Sequence, residues 1–286
     1  MITGTTRLLG VIGDPIEHSL SPMMHNAAIA HLGVDYVYLP FLVHPEQLAH
    51  AVEGLAAIGV QGFNVTLPHK QWVMRLLSDI SPLAQAVGAV NTVWRVGTDW
   101  HGTNTDVAGF LAPLRSLQRH WQQTEVVILG NGGAARAVVA GCAELECKTI
   151  RVFGRDRRKL DQFHQSWVDS PLDVHLETHL WDRLPQFLPL AGLVVNTTPI
   201  GMYPQLNQLP LAPELLNLLE PGAIAYDLIY TPNPTQFLKL AATHGATAID
   251  GLEMLVQQGA AALELWLDQT PPVEVMRRSL RQHLGI

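Results

Sequence analysis

Short β-branched runs alternate with segments of helix length along this chain, and that alternation limits the folds open to it. Strand-like runs begin at Arg7 (RLLGVIG), Asp35 (DYVYLPFLV) and Val60 (VQGFNVT). The segments between them, ended by Gly33 and Gly59, have the length and composition of helices. Because two parallel strands need a crossover of a dozen or more residues, usually a helix, the pattern predicts an α/β fold with a mainly parallel sheet.

A second series of the same kind begins after Asp106. Its strand-like runs are TEVVILG, KTIRVFG, LVVNTTP, AIAYDLIY and ATAIDG, and its first helical segment is AARAVVAGCAEL. A chain of 286 residues is long for one core and comfortable for two. We therefore predict one domain over residues 1–105 and a second over residues 106–251. The helices from Leu252 onward fit either domain by pattern alone.

Charge and cysteine content exclude several classes of protein. The net charge of −7 argues against nucleic acid or an anionic membrane as the main partner. The sequence has no run of 18 apolar residues, and its first ten residues lack a signal core, so we expect neither a membrane span nor export. Cys142 and Cys147 lie in an apolar stretch outside any CxxC motif, which predicts buried thiols and a reducing, cytoplasmic location.

Thirteen histidines raise the question of a metal site. The sequence has no HExxH motif and no Cys/His cluster, and His18 and His25 form the most suggestive pair. We therefore expect no bound metal.

The stretch VVILGNGGAARAVVAG carries the clearest single motif. It fits G-x-G-x-x-G/A between a strand and a helix, with Ala135 in the last place. Glycines let the backbone approach an anion, and the helix N-terminus presents unpaired N–H groups and a positive dipole end. A turn that binds nothing is the alternative, but the context predicts a Rossmann-type dinucleotide site. The turn consists of Gly130, Asn131, Gly132, Gly133 and Ala134.

A basic cluster follows the next strand, in GRDRRKL from Gly154. An NAD site has an acidic residue near this place, which holds the ribose 2′-hydroxyl. Cations at the start of a helix oppose its dipole, so the cluster predicts a bound anion, the 2′-phosphate of NADP. A solvated basic turn is the alternative, and the acidic residue inside the cluster opposes the phosphate. The cluster consists of Arg155, Asp156, Arg157, Arg158 and Lys159.

Polar residues gather near the ends of strand-like runs in the first half. In GFNVTLPHK, Asn64 and Thr66 alternate with apolar residues, and Lys70 follows a proline that breaks the run. Asn91 in GAVNTV and Asp106 in GTNTD also stand at the ends of such runs. Loops at the carboxyl edge of a parallel sheet bind ligands, so we expect these five residues to converge on one cleft.

Two serines precede the first helical segment, in HSLSPMMHN. Ser21 before Pro22 is typical of a helix N-cap, which is a purely structural role. Together, Ser19 and Ser21 at a helix N-terminus would also suit a carboxylate ligand. The residues themselves leave both interpretations open.

These motifs, taken in order, resemble the shikimate dehydrogenases. The matching stretches are SLSP, NVTLPHK, GAVNT, GTNTD, GNGGAA, NTTPIGM, YDLIY and DGLEMLVQQ, and the resemblance extends from Gly13 to Gln258 and beyond. The resemblance implies reversible reduction of 3-dehydroshikimate to shikimate by NADPH, in chorismate and aromatic amino acid biosynthesis. It also implies a monomer or homodimer with a catalytic cleft between two α/β domains, and it places helices 252–286 against the first domain.

The resemblance also implies roles for individual residues. Lys70 would be the catalytic lysine, stabilising and protonating the reacting oxygen, with Asp106 holding its ammonium group. Ser19 and Ser21 would bind the substrate carboxylate. The remaining substrate contacts would be Asn64, Thr66, Asn91, Tyr230 and Gln258. The cofactor contacts would be Gly130–Ala134, Gly154–Lys159, Leu228 and Gly251, the last two near the nicotinamide.

One stretch departs from the family pattern. Family members commonly have Asn-Arg-Thr in the ribose loop, whereas this chain has Gly154-Arg155-Asp156. Relatives that also accept quinate, often with NAD, carry acidic residues in this region. The alternatives are therefore a quinate/shikimate dehydrogenase that uses NAD, or a regulator that kept the fold and lost turnover. The presence of Lys70 and Asp106 argues against the second.

Overall fold

The computed structural model describes residues 2–286 and has the α/β fold that the sequence predicts. The chain divides into two compact units. The first comprises the chain up to Gly109 together with Leu255–Ile286, and the second is Phe110–Met254. The first unit is therefore built from two separate parts of the chain.

Each unit contains one six-stranded sheet. The strands of the first sheet are β1 (Arg7–Gly13), β2 (Tyr36–Leu42), β3 (Gly62–Val65), β4 (Asp79–Ile80), β5 (Thr92–Val96) and β6 (Asp99–Thr103). Those of the second are β7 (Glu125–Leu129), β8 (Thr149–Gly154), β9 (Leu176–Leu180), β10 (Ala191–Asn196), β11 (Ile224–Asp227) and β12 (Thr247–Ile249). The helices are α1 (Ser21–Leu32), α2 (Leu48–Ala57), α3 (Pro82–Val87), α4 (Asp106–Arg115), α5 (Gly133–Glu144), α6 (Arg157–Gln165), α7 (Leu184–Phe187), α8 (Gln236–Thr243), α9 (Leu252–Leu267) and α10 (Val273–Leu284).

The first sheet has the order β2-β1-β3-β5-β6-β4 and is mixed. β1 pairs in parallel with β2 and β3, whereas β5 runs antiparallel to both β3 and β6. Asn91 therefore precedes a strand, and the prediction that it ends one is wrong. Because β5 is reversed, with Thr92 opposite Asn64, its start lies at the same sheet edge as the end of β3. The reversal thus brings Asn91 to the edge where Asn64 lies.

The second sheet has the order β12-β11-β10-β7-β8-β9, and all of its strand pairs are parallel. This is the strand order of a Rossmann fold. Successive strands are added on one side of β7 up to β9, and from β10 onward they are added on the other side, so the switch point lies between β7 and β10. Such a sheet is covered on both faces, which explains why Val126–Leu129 of β7 is fully buried and uniformly apolar. The segments that begin at Gly130 and Thr197 leave the sheet on either side of this switch point.

The start of α1 differs from the sequence prediction. The N-cap is Leu20, whose carbonyl oxygen accepts the backbone N–H of Met24 at 3.2 Å, and the side chain of Ser21 makes no capping bond. The prediction of Ser21 as the helix cap is therefore wrong, because the first turn closes one residue earlier. This leaves the Ser21 hydroxyl available to partners off the helix.

Both cysteines are buried and unbridged, as predicted. Within residues 2–286, no helix combines the length and the apolar character needed to cross a membrane.

Candidate active site

The turn after β3 fixes the position of Lys70. Its first hydrogen bond runs from the His69 backbone N–H to the Thr66 carbonyl oxygen at 3.0 Å. The buried His69 ring then donates from Nε2 to the Val43 carbonyl oxygen at 2.7 Å, which ties the turn to the end of β2. The Lys70 carbonyl oxygen accepts the Val90 N–H at 2.8 Å. The backbone of Lys70 is therefore held from both sides.

The side chain of Lys70 forms an ion pair with Asp106. Lys70 Nζ donates to Asp106 Oδ2 at 2.5 Å, and the exposed fractions of the two side chains are 15% and 6%. Asp106 is the first residue of α4, where a carboxylate is favoured by the helix dipole. The Asn104 carboxamide oxygen accepts the backbone N–H of Asp106 at 3.0 Å, which holds this helix start in place.

Asn91 connects this ion pair to its surroundings. Its Nδ2 group lies 2.8 Å from Asp106 Oδ1, 3.0 Å from Thr105 Oγ1 and 3.4 Å from Gln258 Oε1. Its Oδ1 atom accepts the Thr105 backbone N–H at 2.7 Å. Since Nδ2 carries only two hydrogens for three acceptors, one of these contacts is open to exchange with a ligand.

Asn64 continues the same network toward α1. Its Nδ2 group donates to the Asn91 carbonyl oxygen and to Thr92 Oγ1, both at 3.1 Å. Its Oδ1 atom accepts the Tyr38 hydroxyl at 2.7 Å. Both N–H donors are used, so the second lone pair of Oδ1 is the group with which Asn64 can meet a ligand hydroxyl.

Tyr38 was missed by sequence reasoning, although it links two predicted site residues. It is fully buried in β2, and burial raises the pKa of its hydroxyl well above the ordinary value, while a hydrogen bond with Ser21 acts in the opposite direction. Tyr38 thus joins Ser21 to Asn64. In the sequence it is one apolar or aromatic residue among several in DYVYLPFLV, so the strand itself offered no signal for this role.

The two serines lie close together before α1. The backbone N–H of Ser21 points to Ser19 Oγ at 3.4 Å, and Ser21 is buried while Ser19 is half-buried. Thr66, which follows β3, is half-buried as well. In the first unit, the structure therefore places the following predicted residues along one edge of the sheet or in direct contact with it: Ser19, Ser21, Asn64, Thr66, Lys70, Asn91, Asp106 and Gln258.

His25 lies beneath this network, on α1. Its ring stacks on Tyr38 with the centroids 4.3 Å apart, and neither ring nitrogen has a hydrogen-bond partner among the described residues. Burial lowers the pKa of His25 to about 3, so the ring is neutral at physiological pH. His25 therefore supports Tyr38 by packing and contributes no charge to the site.

The glycine turn after β7 has the geometry that an anion site needs. Gly130 has φ 105°, which favours glycine, and a Cβ there would meet Thr197 Oγ1 at 2.8 Å. Gly132 is the N-cap of α5, and nothing lies within 4 Å of the place where its Cβ would be. The backbone is therefore open to close approach, and the start of α5 presents unpaired N–H groups. Asn131, Gly133 and Ala134 are half-buried, while Gly132 is exposed.

The basic loop after β8 is exposed, and its acidic residue has a local role. Asp156 is the N-cap of α6, where its Oδ1 atom accepts the backbone N–H of Lys159 at 3.2 Å. Arg157 is paired with Asp161 at 3.0 Å, one helical turn away. Arg155, Arg158 and Lys159 remain as exposed cations with long side chains. The carboxylate that opposed a phosphate ligand is thus engaged by the helix N-terminus.

Three further predicted residues follow β11 and β12. Leu228 and Tyr230 are half-buried, and Gly251 is buried. A Cβ on Gly251 would lie 2.1 Å from the Leu228 carbonyl oxygen, so only glycine fits there. Leu228 and Gly251 are therefore in backbone contact, and a change at one must displace the other.

Across residues 2–286, no group of three or more His, Cys, Asp or Glu side chains could hold a metal ion.

Two family models match the chain. One is described as the shikimate dehydrogenase substrate binding domain and matches residues 11–93. The other is described as the shikimate 5'-dehydrogenase C-terminal domain and matches residues 251–281. The protein named shikimate dehydrogenase (NADP(+)) of Gloeothece citriformis (strain PCC 7424) is 60% identical over 286 residues, which covers 100% of this chain and 99% of the relative.

Solved structures give the same result. Shikimate 5-dehydrogenase from Thermus thermophilus, in complex with NADP(H) and shikimate, has a TM-score of 0.84 and 32% identity, covering 97% of this chain and 99% of that chain. Shikimate 5-dehydrogenase from Listeria monocytogenes, in complex with shikimate and NAD, has a TM-score of 0.86 and 34% identity over 98% of both chains.

Proposed function

The chain belongs to the shikimate dehydrogenase family, and we propose that Lys70 and Asp106 act together on the reacting oxygen when it catalyses its reaction. That reaction is the reversible NADPH-dependent reduction of 3-dehydroshikimate to shikimate, a step of aromatic amino acid biosynthesis. The observation that carries the proposal is the buried Lys70–Asp106 ion pair, joined to Asn91 in a network of side chains.

Lys70 supplies what the carbonyl oxygen needs. When hydride reaches the carbonyl carbon, negative charge develops on the oxygen, and an ammonium group beside it stabilises that charge and donates a proton. Asp106 keeps the ammonium group in place through Oδ2 and is itself oriented by Asn91 through Oδ1. A charged pair in a poorly solvated site needs little reorganisation during the reaction. In the reverse direction, the same pair accepts the proton of the shikimate hydroxyl.

We propose that the remaining polar groups bind the substrate carboxylate and hydroxyls. Ser19 and Ser21 lie where their hydroxyls and the start of α1 can receive a carboxylate. Asn64 accepts a substrate hydroxyl through the remaining lone pair of Oδ1. The other substrate contacts that we propose are Thr66, Asn91, Gln258 and Tyr230.

The dinucleotide loop and the basic loop suit NADP. Bound NADPH supplies the hydride. The open space above Gly132 and the unpaired N–H groups of α5 fit a pyrophosphate, for which we propose Gly130–Ala134 as the contacts. For the adenosine ribose and its 2′-phosphate we propose Gly154–Lys159, with Arg155 as the principal cation and Asp156 as a helix cap. For the nicotinamide end of the cofactor we propose Leu228 and Gly251 as the contacts.

A four-way assay tests the proposal. Absorbance at 340 nm is followed with shikimate or quinate as substrate and NADP or NAD as cofactor. We expect rapid reduction of NADP with shikimate and much slower turnover in the other three combinations. Turnover with quinate and NAD exceeding that with shikimate and NADP would contradict the assignment.

One observation favours a second candidate function, that of a quinate/shikimate dehydrogenase that uses NAD. The solved enzyme from Listeria monocytogenes was obtained with shikimate and NAD, and the ribose loop of this chain contains an acidic residue. Since Asp156 is engaged as a helix cap, we favour NADP, and the same assay separates the two candidates.

The compartment and the assembly state belong to the proposal as well. We place the protein in the cytoplasm, because two buried and unbridged cysteines suit a reducing compartment. We propose a monomer or homodimer, which size-exclusion chromatography with light scattering would decide.

A further inference from the structure

Asp227 is a buried carboxylate outside the proposed substrate and cofactor contacts. It ends β11 and is 0% exposed. Its Oδ1 atom accepts Asn196 Nδ2 at 3.0 Å and the Ile229 backbone N–H at 3.1 Å, and its Oδ2 atom accepts the Thr235 hydroxyl at 2.7 Å. Three neutral donors thus point at one carboxylate.

These donors come from three different segments of the second unit. Asn196 ends β10, and its Oδ1 atom holds the following loop through the N–H and the hydroxyl of Thr198, at 3.0 and 2.7 Å. Thr235 is the N-cap of α8, since its Oγ1 atom also accepts the Leu238 N–H at 3.3 Å. Asp227 therefore joins the loop after β10, the loop after β11 and the start of α8.

The segment held in this way carries the predicted nicotinamide contacts. Leu228 lies between Asp227 and Ile229, and its N–H donates to the Asn196 carbonyl oxygen at 3.1 Å. The Gly251 N–H donates to the Ile229 carbonyl oxygen at 3.1 Å, and Gly251 packs against the Leu228 carbonyl group. A shift of Ile229 or Leu228 must therefore be transmitted to Gly251.

A carboxylate at this position costs folding free energy, because burial disfavours its charged form. Burial raises the pKa of Asp227 to about 6, against the stabilising hydrogen bonds from Thr235, Ile229 and Asn196. Asp250, which precedes α9 and bonds Asn233 at 2.8 Å, is the charged group that acts on Asp227, and it raises the pKa further. An amide of the same shape would avoid that cost of burial.

We propose that Asp227, in its ionised form, is a positioning residue that sets Leu228 and Gly251 for the nicotinamide end of the cofactor. The inference rests on the proposed function, because it takes these two residues as the nicotinamide side of the site. An ionised carboxylate accepts from all three donors at once. A protonated one carries a hydrogen on one oxygen. If that oxygen is Oδ2, the Thr235 hydroxyl has to turn from donor to acceptor, and if it is Oδ1, one of the two N–H donors loses its acceptor, so the network that holds the loops changes in either case.

The test compares two ligands that differ only in the nicotinamide. These are NADP+ and 2′-phosphoadenosine 5′-diphosphoribose, whose dissociation constants are measured by calorimetry for the wild type and for Asp227→Asn between pH 5 and 8. At pH 7.5 we expect Asp227→Asn to weaken NADP+ about tenfold, which corresponds to ~1.4 kcal/mol, and to leave the shorter ligand unchanged. As the pH falls through about 6, the wild type should lose the same factor for NADP+ alone.

Equal effects on both ligands would overturn the proposal, because a merely structural role disturbs the whole loop system. A wild-type ratio of the two dissociation constants that is independent of pH would overturn it as well. Failure of the wild type to bind the shorter ligand would instead contradict the cofactor site of the proposed function. The two failures are therefore distinguishable.

A second pair of variants covers the case in which Asp227→Asn does not fold. Thr235→Val removes one donor to the carboxylate, which should move the pH midpoint of NADP+ affinity upward. Thr235→Ser keeps that donor and should leave the midpoint in place. The same midpoint in both variants would contradict the inference.

Thermal unfolding adds a readout that does not need a ligand. Because the folded-state pKa of Asp227 is raised, from 3.8 to about 6, its contribution to stability is present at low pH and is lost as the pH rises through this window. Asp227→Asn should therefore lose less stability than the wild type between pH 4 and pH 6.5. An identical pH dependence in the two proteins would mean that Asp227 does not titrate there.

Discussion

The site around Lys70 and the basic loop around Arg155, for which we propose roles in the same reaction, are built by opposite physical means. In the first, Lys70 and Asp106 are 15% and 6% exposed and pair with each other, and Asp106 also accepts a hydrogen bond from Asn91. In the second, Arg155, Arg158 and Lys159 are exposed to solvent, and the side-chain cap of the loop is Asp156. The first site consists of poorly exposed groups that are joined by hydrogen bonds, whereas the second consists of solvated charges carried by a loop and the start of a helix.

This difference predicts how each site responds to change. Buried charges that share hydrogen bonds in a low dielectric act as a unit, so removing one leaves its partners unsatisfied. Exposed charges are screened by water and salt, and their contributions are small and nearly additive. Substitutions at Lys70 and at Arg155 should therefore differ in size, in salt dependence and in additivity.

The largest effect is expected for Lys70→Ala. Since the lysine acts mainly on charge that develops in the transition state, turnover should fall on the order of 10²–10⁴-fold while shikimate binding survives. The measurements are kcat from the 340 nm assay and the dissociation constant of shikimate by calorimetry.

Lys70→Arg is the matched control, because it keeps the charge next to Asp106. It should retain the thermal stability that Lys70→Ala loses by leaving a buried carboxylate unpaired. Near-normal turnover in Lys70→Ala would show that the lysine is not at the reacting oxygen.

The second effect concerns the serine pair. Replacing both Ser19 and Ser21 with Ala should raise the KM for shikimate, because each lost hydrogen bond to a carboxylate costs roughly 1.5–3 kcal/mol, or on the order of tenfold to a hundredfold. Cofactor affinity should be unchanged. An unaltered KM would confine Ser21 to its contact with Tyr38.

The third effect tests the basic loop. Arg155→Ala should weaken NADP by about tenfold and NAD hardly at all, since a guanidinium group recognises the 2′-phosphate. The loss should shrink as salt is added. The specificity constants for both cofactors are compared with those of Arg157→Ala, for which we expect a smaller loss because its side chain is already paired with Asp161. Equal losses for NADP and NAD in Arg155→Ala would separate this arginine from the phosphate.

The smallest effect concerns the helix cap of the same loop. Asp156→Ala should lower the free energy of unfolding by about 1 kcal/mol, because a capping oxygen is lost, whereas Asp156→Asn retains one. Both variants remove a negative charge near the phosphate and should bind NADP slightly more tightly. Denaturant unfolding gives the first quantity, and an equal loss of stability in both variants would exclude the capping role.

Sequence reasoning reached the features that depend on local pattern. The parallel sheets follow from the alternation of strands and helices, and the glycine turn follows from the need for φ 105° at Gly130 and for open space at Gly132. These are properties of single segments, so a single segment reveals them.

It failed where a residue's role is set by a distant partner. The antiparallel course of β5, which carries Asn91 to the site, depends on pairing with β3 and β6. Tyr38 reads as an ordinary strand residue until Ser21 and Asn64 are placed against its hydroxyl. Asp156 looked like an opponent of phosphate because its engagement with the Lys159 N–H is a matter of backbone geometry.

The two-part construction of the first unit has a consequence for biosynthesis of the chain. Translation delivers all of Phe110–Met254 before most of α9, so the second unit can fold while the first is still incomplete. Until α9 emerges, Trp266 cannot cover Gly62 or donate to the Val93 carbonyl oxygen at 2.9 Å, and Gln258 cannot reach Asn91. A nascent chain halted before residue 255 therefore has every strand of the first sheet but lacks the helices of Leu255–Ile286, and it leaves part of that sheet uncovered for chaperones to bind.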